Sequence, residues 1–144
     1  MKFAEFEQGQ VIQLGPATVT EDEILAFARQ HDPQWFHTDP ARAQASRWNG
    51  LIASGWHTCS IAMRLMVDAV LGDSESLASP GMNYLKWPAP VRPGDRLELK
   101  VTILEKTVSG SGRIGSLKWR WELINQDGVL VLDLEAVNLF TLKT

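Results

Sequence analysis

The sequence predicts an α+β domain in which a curved antiparallel sheet wraps one long central helix. Three observations lead to that fold. The first half of the chain carries helix signals and the second half carries strand alternation, the segregated order of an α+β domain. The run WHTCSIAMRLMVDAVL, residues 56–71, is interrupted by charge only at Arg64 and Asp68, so as a helix it must be buried on most sides. At 144 residues, 44% apolar and 22% charged, the chain is expected to form one domain, residues 1–144, able to fill a core around that helix.

The elements follow in order. VIQLGPATVT, residues 11–20, reads as a short strand broken by Gly15-Pro16. Thr20 is an N-cap residue and Glu23, three residues on, completes a capping-box pattern. Ile24, Phe27 and Ala28 then share one face, which predicts a helix over 21–30. Pro33 disfavours helical backbone at the residue before it, so Asp32 falls at the helix exit. Asp39-Pro40 is a second start signal, an N-cap residue followed by proline in the first helical position. His37 is thus expected just before a helix entrance, and the stretch from Asp32 to His37 as a loop, neither helix nor strand.

Within the apolar run, Arg64 and Asp68 are four apart and share a helix face. GDSESLASPG, residues 72–81, is expected as an exposed loop. Pro93-Gly94-Asp95 marks a turn, after which Leu97, Leu99, Val101 and Ile103 alternate with polar partners at strand period. SLKWRWEL repeats the alternation with Leu117, Trp119, Trp121 and Leu123 on one face. Asn125-Gln126-Asp127-Gly128 is a turn signal, and VLVLDLEAVNLF returns as another strand.

Composition excludes several function classes. A net charge of -3 without a clustered basic face argues against nucleic acid. The single cysteine, Cys59, allows no internal disulfide or Cys-rich zinc site and reads as a small buried hydrophobe. The three histidines form no metal-ligand constellation with Cys59 or the carboxylates, so no metal is expected. The N-terminus carries two Glu and lacks the apolar core of a secretory signal. No stretch reaches the ~18 apolar residues a membrane helix needs, so a cytoplasmic protein without membrane association is expected.

The segment HDPQWFHTDP carries the chemistry. A carboxylate at Asp32 and an imidazole at His37, close together on one constrained segment, suit a water-handling pair. The segments FARQHDPQWFHTDPARAQAS, GLIASGWHT and VRPGDRLELKVTI resemble, in spacing and residue type, those of the MaoC-like hydratase/dehydratase family, whose single-domain members include (R)-specific enoyl-CoA hydratases. The resemblance covers nearly the whole chain and implies the hotdog fold. It also implies reversible addition of water to a 2-enoyl-CoA, with Asp32 and His37 handling the water. A backbone N–H at Gly55, where the buried helix begins, would meet the developing oxyanion. Gln34, Trp35, Ser54 and Trp56 are the candidate substrate-binding residues.

The chain departs from the family pattern at two places. Gln34-Trp35 stands where members usually carry Asn-Pro, and Ser54-Gly55 where many carry His-Gly. Gln34 still offers an amide, whereas Trp35 is large enough to reshape the acyl pocket or the loop. The resemblance implies no cofactor, since coenzyme A is part of the substrate. It implies a homodimer or an assembly of dimers. Two other activities share the fold: a thioesterase, with Asp32 or its water attacking the carbonyl, and a non-catalytic acyl-CoA-binding subunit. Plainer roles stand beside the functional ones. Gly55 is also a possible turn glycine and Ser54 a helix N-cap. His57 is expected to hydrogen-bond locally and His31 to be solvated at a helix end. Trp119 and Trp121 are expected in the core or a subunit interface. Arg42 and Arg47 suit either coenzyme A phosphates or ordinary surface.

Overall fold

The computed structural model describes residues 1–142. Strand β1 spans Val11–Thr18, followed by helices α1 (Glu21–His31), α2 (Trp35–Thr38), α3 (Pro40–Gln44) and α4 (Gly55–Met66). Strands β2 (Ser76–Lys86), β3 (Arg96–Val108), β4 (Ile114–Ile124) and β5 (Leu130–Thr141) complete the chain. All neighbours in the sheet are antiparallel, in the order β1-β3-β4-β5-β2. This is the hotdog arrangement, with α4 laid against a five-stranded sheet.

The alternation read from the sequence places the core. Leu97, Leu99, Val101 and Ile103 of β3, with Leu117, Trp119, Trp121 and Leu123 of β4, are buried in one cluster with Ala62 and Met66 of α4. A short 3-10 turn, Phe3–Glu5, closes one end of this cluster. Phe6, just after it, meets Trp119 edge-on at 6.0 Å and Phe140 at 5.8 Å. The turns also form as expected. The Asn125 carbonyl accepts from the N–H of Gly128, whose φ of 74° suits a residue without a Cβ. The Asp95 carboxylate accepts from the Arg92 N–H to close the other turn.

Helix starts follow their caps. The Thr20 hydroxyl accepts from the Glu23 N–H at 3.2 Å and donates to the Glu23 carboxylate. The Asp39 carboxylate accepts from the Arg42 N–H, with Pro40 in the first turn of α3. The Gly15-Pro16 break is a register shift between Leu14 and Ala17 within one continuous β1.

Three expectations are corrected. Residues 72–81 are not all loop: β2 begins at Ser76. It is an edge strand whose first eight residues are all exposed, so it shows no alternation, and only backbone pairing to β5 reveals it. The apolar run does not make one α-helix buried on most sides. α4 starts at Gly55, as expected, but passes into a π-helical turn over Val67–Leu71. Trp56, Met63 and Val67 are 57%, 45% and 40% exposed, a face of α4 that this chain leaves uncovered. Arg64 and Asp68 share one face as expected, and there they form a surface ion pair at 2.9 Å.

One charged network joins the strands on the other side of the sheet. Arg120 of β4 grips Asp133 of β5 through two bonds of 3.0 Å, and the Tyr84 hydroxyl of β2 donates to the same carboxylate at 2.8 Å. Arg120, opposing a smaller desolvation effect, holds the Asp133 carboxyl below its ordinary value.

Two predictions follow from this packing. Leu99→Ala, at a fully buried position, is expected to cost about 2–5 kcal/mol in urea unfolding, whereas Val108→Ala, 54% exposed, stays within about 0.5 kcal/mol. Because the folded Asp133 carboxyl is depressed, its contribution is present above the unfolded value and lost as pH falls through the folded one. The stability gap between wild type and Asp133→Asn should therefore be widest near neutrality and close below about pH 4, in unfolding curves taken across pH.

Candidate active site

Asp32 caps the end of α1, its N–H donating to the Ala28 carbonyl at 2.8 Å. After Pro33 the chain does not remain a loop as expected. It turns once through α2, Trp35–Thr38, and His37 lies inside that turn rather than before a helix entrance. Pro33 breaks the helix locally, but Gln34 restarts it by accepting the His37 N–H at 2.9 Å. That single turn folds the His37 ring back onto Asp32, placing Nε2 3.3 Å from Oδ2.

The tautomer of His37 follows from its other nitrogen. Nδ1 lies 2.7 Å from the Ile52 carbonyl, which can only accept, so Nδ1 carries the proton. In the neutral ring Nε2 is then a lone pair directed at Asp32. The carboxylate is itself well supplied. Gln34 Nε2 donates to Oδ1 at 2.8 Å and the Ser54 hydroxyl donates to Oδ2 at 2.7 Å. Burial pushes the Asp32 carboxyl up, but the Ser54 and Gln34 bonds and the His37 charge together outweigh it and hold the group below its ordinary value.

Ser54 occupies the N-cap position of α4 without capping it, because its hydroxyl serves Asp32. Gly55 follows as the first residue of α4, and among the described residues its N–H meets no protein acceptor. That end of the helix favours developing negative charge. Gly55 is more than a turn glycine: a Cβ there would fall 2.5 Å from the Trp87 indole, whose Nε1–H donates to the Gly55 carbonyl at 2.9 Å.

Asp32, His37 and Gly55 line one cleft of about 400 Å3, walled by Trp48, Trp56 and Trp87 and by the segment 88–91. Trp56 stands exposed against Trp87, the rings at 5.3 Å and nearly perpendicular. Gln34 borders the cleft while its amide braces Asp32. Ser54 is fully buried behind the pair. Trp35 is not among the lining residues; its ring lies under the Arg42 guanidinium at 4.4 Å. Trp48 and Trp87 were missed by sequence reasoning. No local sequence signal marked either; in the structure the Arg47 guanidinium lies 5.8 Å from the Trp48 ring.

Other sequence candidates separate from the site. His57 does not hydrogen-bond locally: among the described residues its buried Nδ1 has no partner, and its ring stacks on Phe27 at 4.9 Å. Burial pushes the His57 imidazole down, against a weaker upward pull from Glu23. His31 is exposed at the end of α1. Cys59 is only half-buried, and burial pushes its thiol up. Among the described residues no group of three or more His, Cys, Asp or Glu could hold a metal ion, and no helix is long and apolar enough to cross a membrane.

Comparison with known proteins points the same way. The profile of a family described as MaoC like domain matches residues 3–116. The chain is 32% identical over 99 residues to 3-hydroxyacyl-thioester dehydratase Z of Mycobacterium tuberculosis, covering 67% of this chain and 66% of that protein. The crystal structure of a MaoC-like dehydratase from Rhodospirillum rubrum is 34% identical and superposes with a TM-score of 0.88, covering 98% of this chain and 97% of that one. An (R)-hydratase from A. caviae is 26% identical with a TM-score of 0.73, covering 93% and 96%.

The Asp32 environment makes a direct prediction. Ser54→Ala removes the 2.7 Å donor and should raise the Asp32 carboxyl titration, read by carbon-13 NMR of the labelled side chain. An unchanged titration would mean that this bond does not set the charge of the site.

Proposed function

The chain belongs to the MaoC-like domain family, and from that membership we propose that it reversibly adds water to a 2-enoyl thioester of coenzyme A. The observation that carries this reading is the Asp32–His37 pair, Oδ2 to Nε2 at 3.3 Å, in the cleft that Gly55 also lines. The similarity to a 3-hydroxyacyl-thioester dehydratase supports the same reaction class.

In this mechanism a water bound to Asp32 Oδ2 donates its second hydrogen to His37 Nε2. Its oxygen bonds to Cβ of the enoyl group as its O–H bond breaks toward Nε2. The electron pair displaced from the double bond moves onto the thioester oxygen, which faces the Gly55 N–H and the positive end of α4. When that enolate collapses, the proton on Nε2 passes to Cα, and the neutral imidazole is restored. Both additions occur on the face of the substrate turned to the pair. Dehydration is the reverse. Asp32, held ionised, orients the water and steadies the imidazolium, while His37 carries the proton.

The protein works as a homodimer in this reading. Support comes from the uncovered apolar face of α4 at Trp56, Met63 and Val67, beside the open edge of β2. A second copy would cover both.

Crotonyl-CoA tests the proposal when enoyl absorbance and free thiol are followed together. Loss of absorbance without thiol release is expected; thiol release would identify a thioesterase instead. Asp32→Asn and His37→Ala should each lower kcat by about 10²–10⁴ with the fold retained. Near-normal turnover in either variant would remove that residue from the mechanism.

A further inference from the structure

Trp87 lines the cleft at the start of α4. Its indole packs directly against Gly55: three of its ring atoms lie 2.5–2.9 Å from where a Cβ would project. Gly55, Cys59 and Met63 follow at four-residue steps and so form one stripe along α4. The Gly55 end of the stripe opens into the catalytic cleft. The Cys59 and Met63 end lines a second pocket of about 120 Å3, whose far wall is Trp119, Trp121, Leu134 and Ala136 of the sheet. Trp87, packed on Gly55, therefore lies one helical turn from Cys59, where the second pocket begins.

Resting on the hydratase reading, we infer that Trp87 sets the acyl chain length, closing the cleft against this second pocket so that short acyl groups are the substrates. With the thioester oxygen at the Gly55 N–H, an acyl tail directed along α4 runs into the indole. The pocket beyond Trp87 is apolar and suits methylene groups, each worth about fourfold in binding when buried. Removing the indole joins the two spaces.

The test is the ratio of kcat/KM for eight-carbon over four-carbon 2-enoyl-CoA, measured for wild type, Trp87→Leu, Trp87→Ala and Trp87→Phe after each is checked for folding by thermal melting. Wild type should favour the four-carbon substrate. Trp87→Leu and Trp87→Ala should raise the ratio by at least about tenfold. Absolute rates should fall for both lengths, because the Gly55 carbonyl loses its donor; the ratio does not register that loss. Trp87→Phe, which keeps bulk without the N–H, should keep the short-chain preference. Wild type that turns over eight-carbon substrate as well as four-carbon would overturn the inference without any variant. So would a folded Trp87→Leu that lowers both rates equally. If wild type hydrates no enoyl-CoA, the hydratase reading fails separately. The same ratio, read from calorimetric Kd values for saturated butyryl- and octanoyl-CoA, then decides the role of Trp87.

Discussion

The Ser54 hydroxyl donates to the Asp32 carboxylate across 22 residues of chain, and that bond ties the exit of α1 to the entrance of α4. Hydrogen bonds to an ionised group are among the stronger ones a protein makes, and this one is shielded by a fully buried donor. Through it the carboxylate is fixed relative to the free N–H of Gly55, one residue further on. The Ile52 carbonyl, two residues before Ser54, fixes the His37 ring in the same frame. The stretch before α4 and the first residue of the helix thus supply the acceptor for His37, the donor to Asp32 and the Gly55 N–H within four residues, 52–55.

The sheet makes that frame rigid. Leu97 to Ile103 and Leu117 to Leu123 bury their faces beneath α4, and Phe6, Trp119 and Phe140 lock the far end. A site placed at the end of a packed helix keeps its geometry better than one carried on loops alone. The other face of α4 tells a different story, since Trp56, Met63 and Val67 face outward. Trp56 belongs both to that apolar surface and to the wall of the cleft holding Asp32 and His37, which couples the site to whatever covers the surface.

Much of this was legible in the sequence. The alternation of Leu117, Trp119, Trp121 and Leu123 gave β4 its buried face, and Thr20 and Asp39 gave two helix starts, because those signals are local. Asp32 and His37 were legible as a pair through their spacing and the family resemblance. What escaped depended on contacts distant in sequence. β2 is held by pairing to β5 and carries no periodicity of its own. Trp87 reaches Gly55 across 32 residues, and the partner of the Ser54 hydroxyl lies 22 residues away. Trp35, a candidate for the acyl pocket, is not in the cleft lining, and the Arg42 guanidinium lies over its ring.

The central claim is that the Asp32–His37 pair delivers water to carbon and leaves the thioester whole. The most direct measurement is mass spectrometry of crotonyl-CoA incubated with the protein in oxygen-18 water. The account predicts an intact 3-hydroxybutyryl-CoA carrying the heavy oxygen on its third carbon. Heavy oxygen in a free carboxylate, with coenzyme A released, would contradict it.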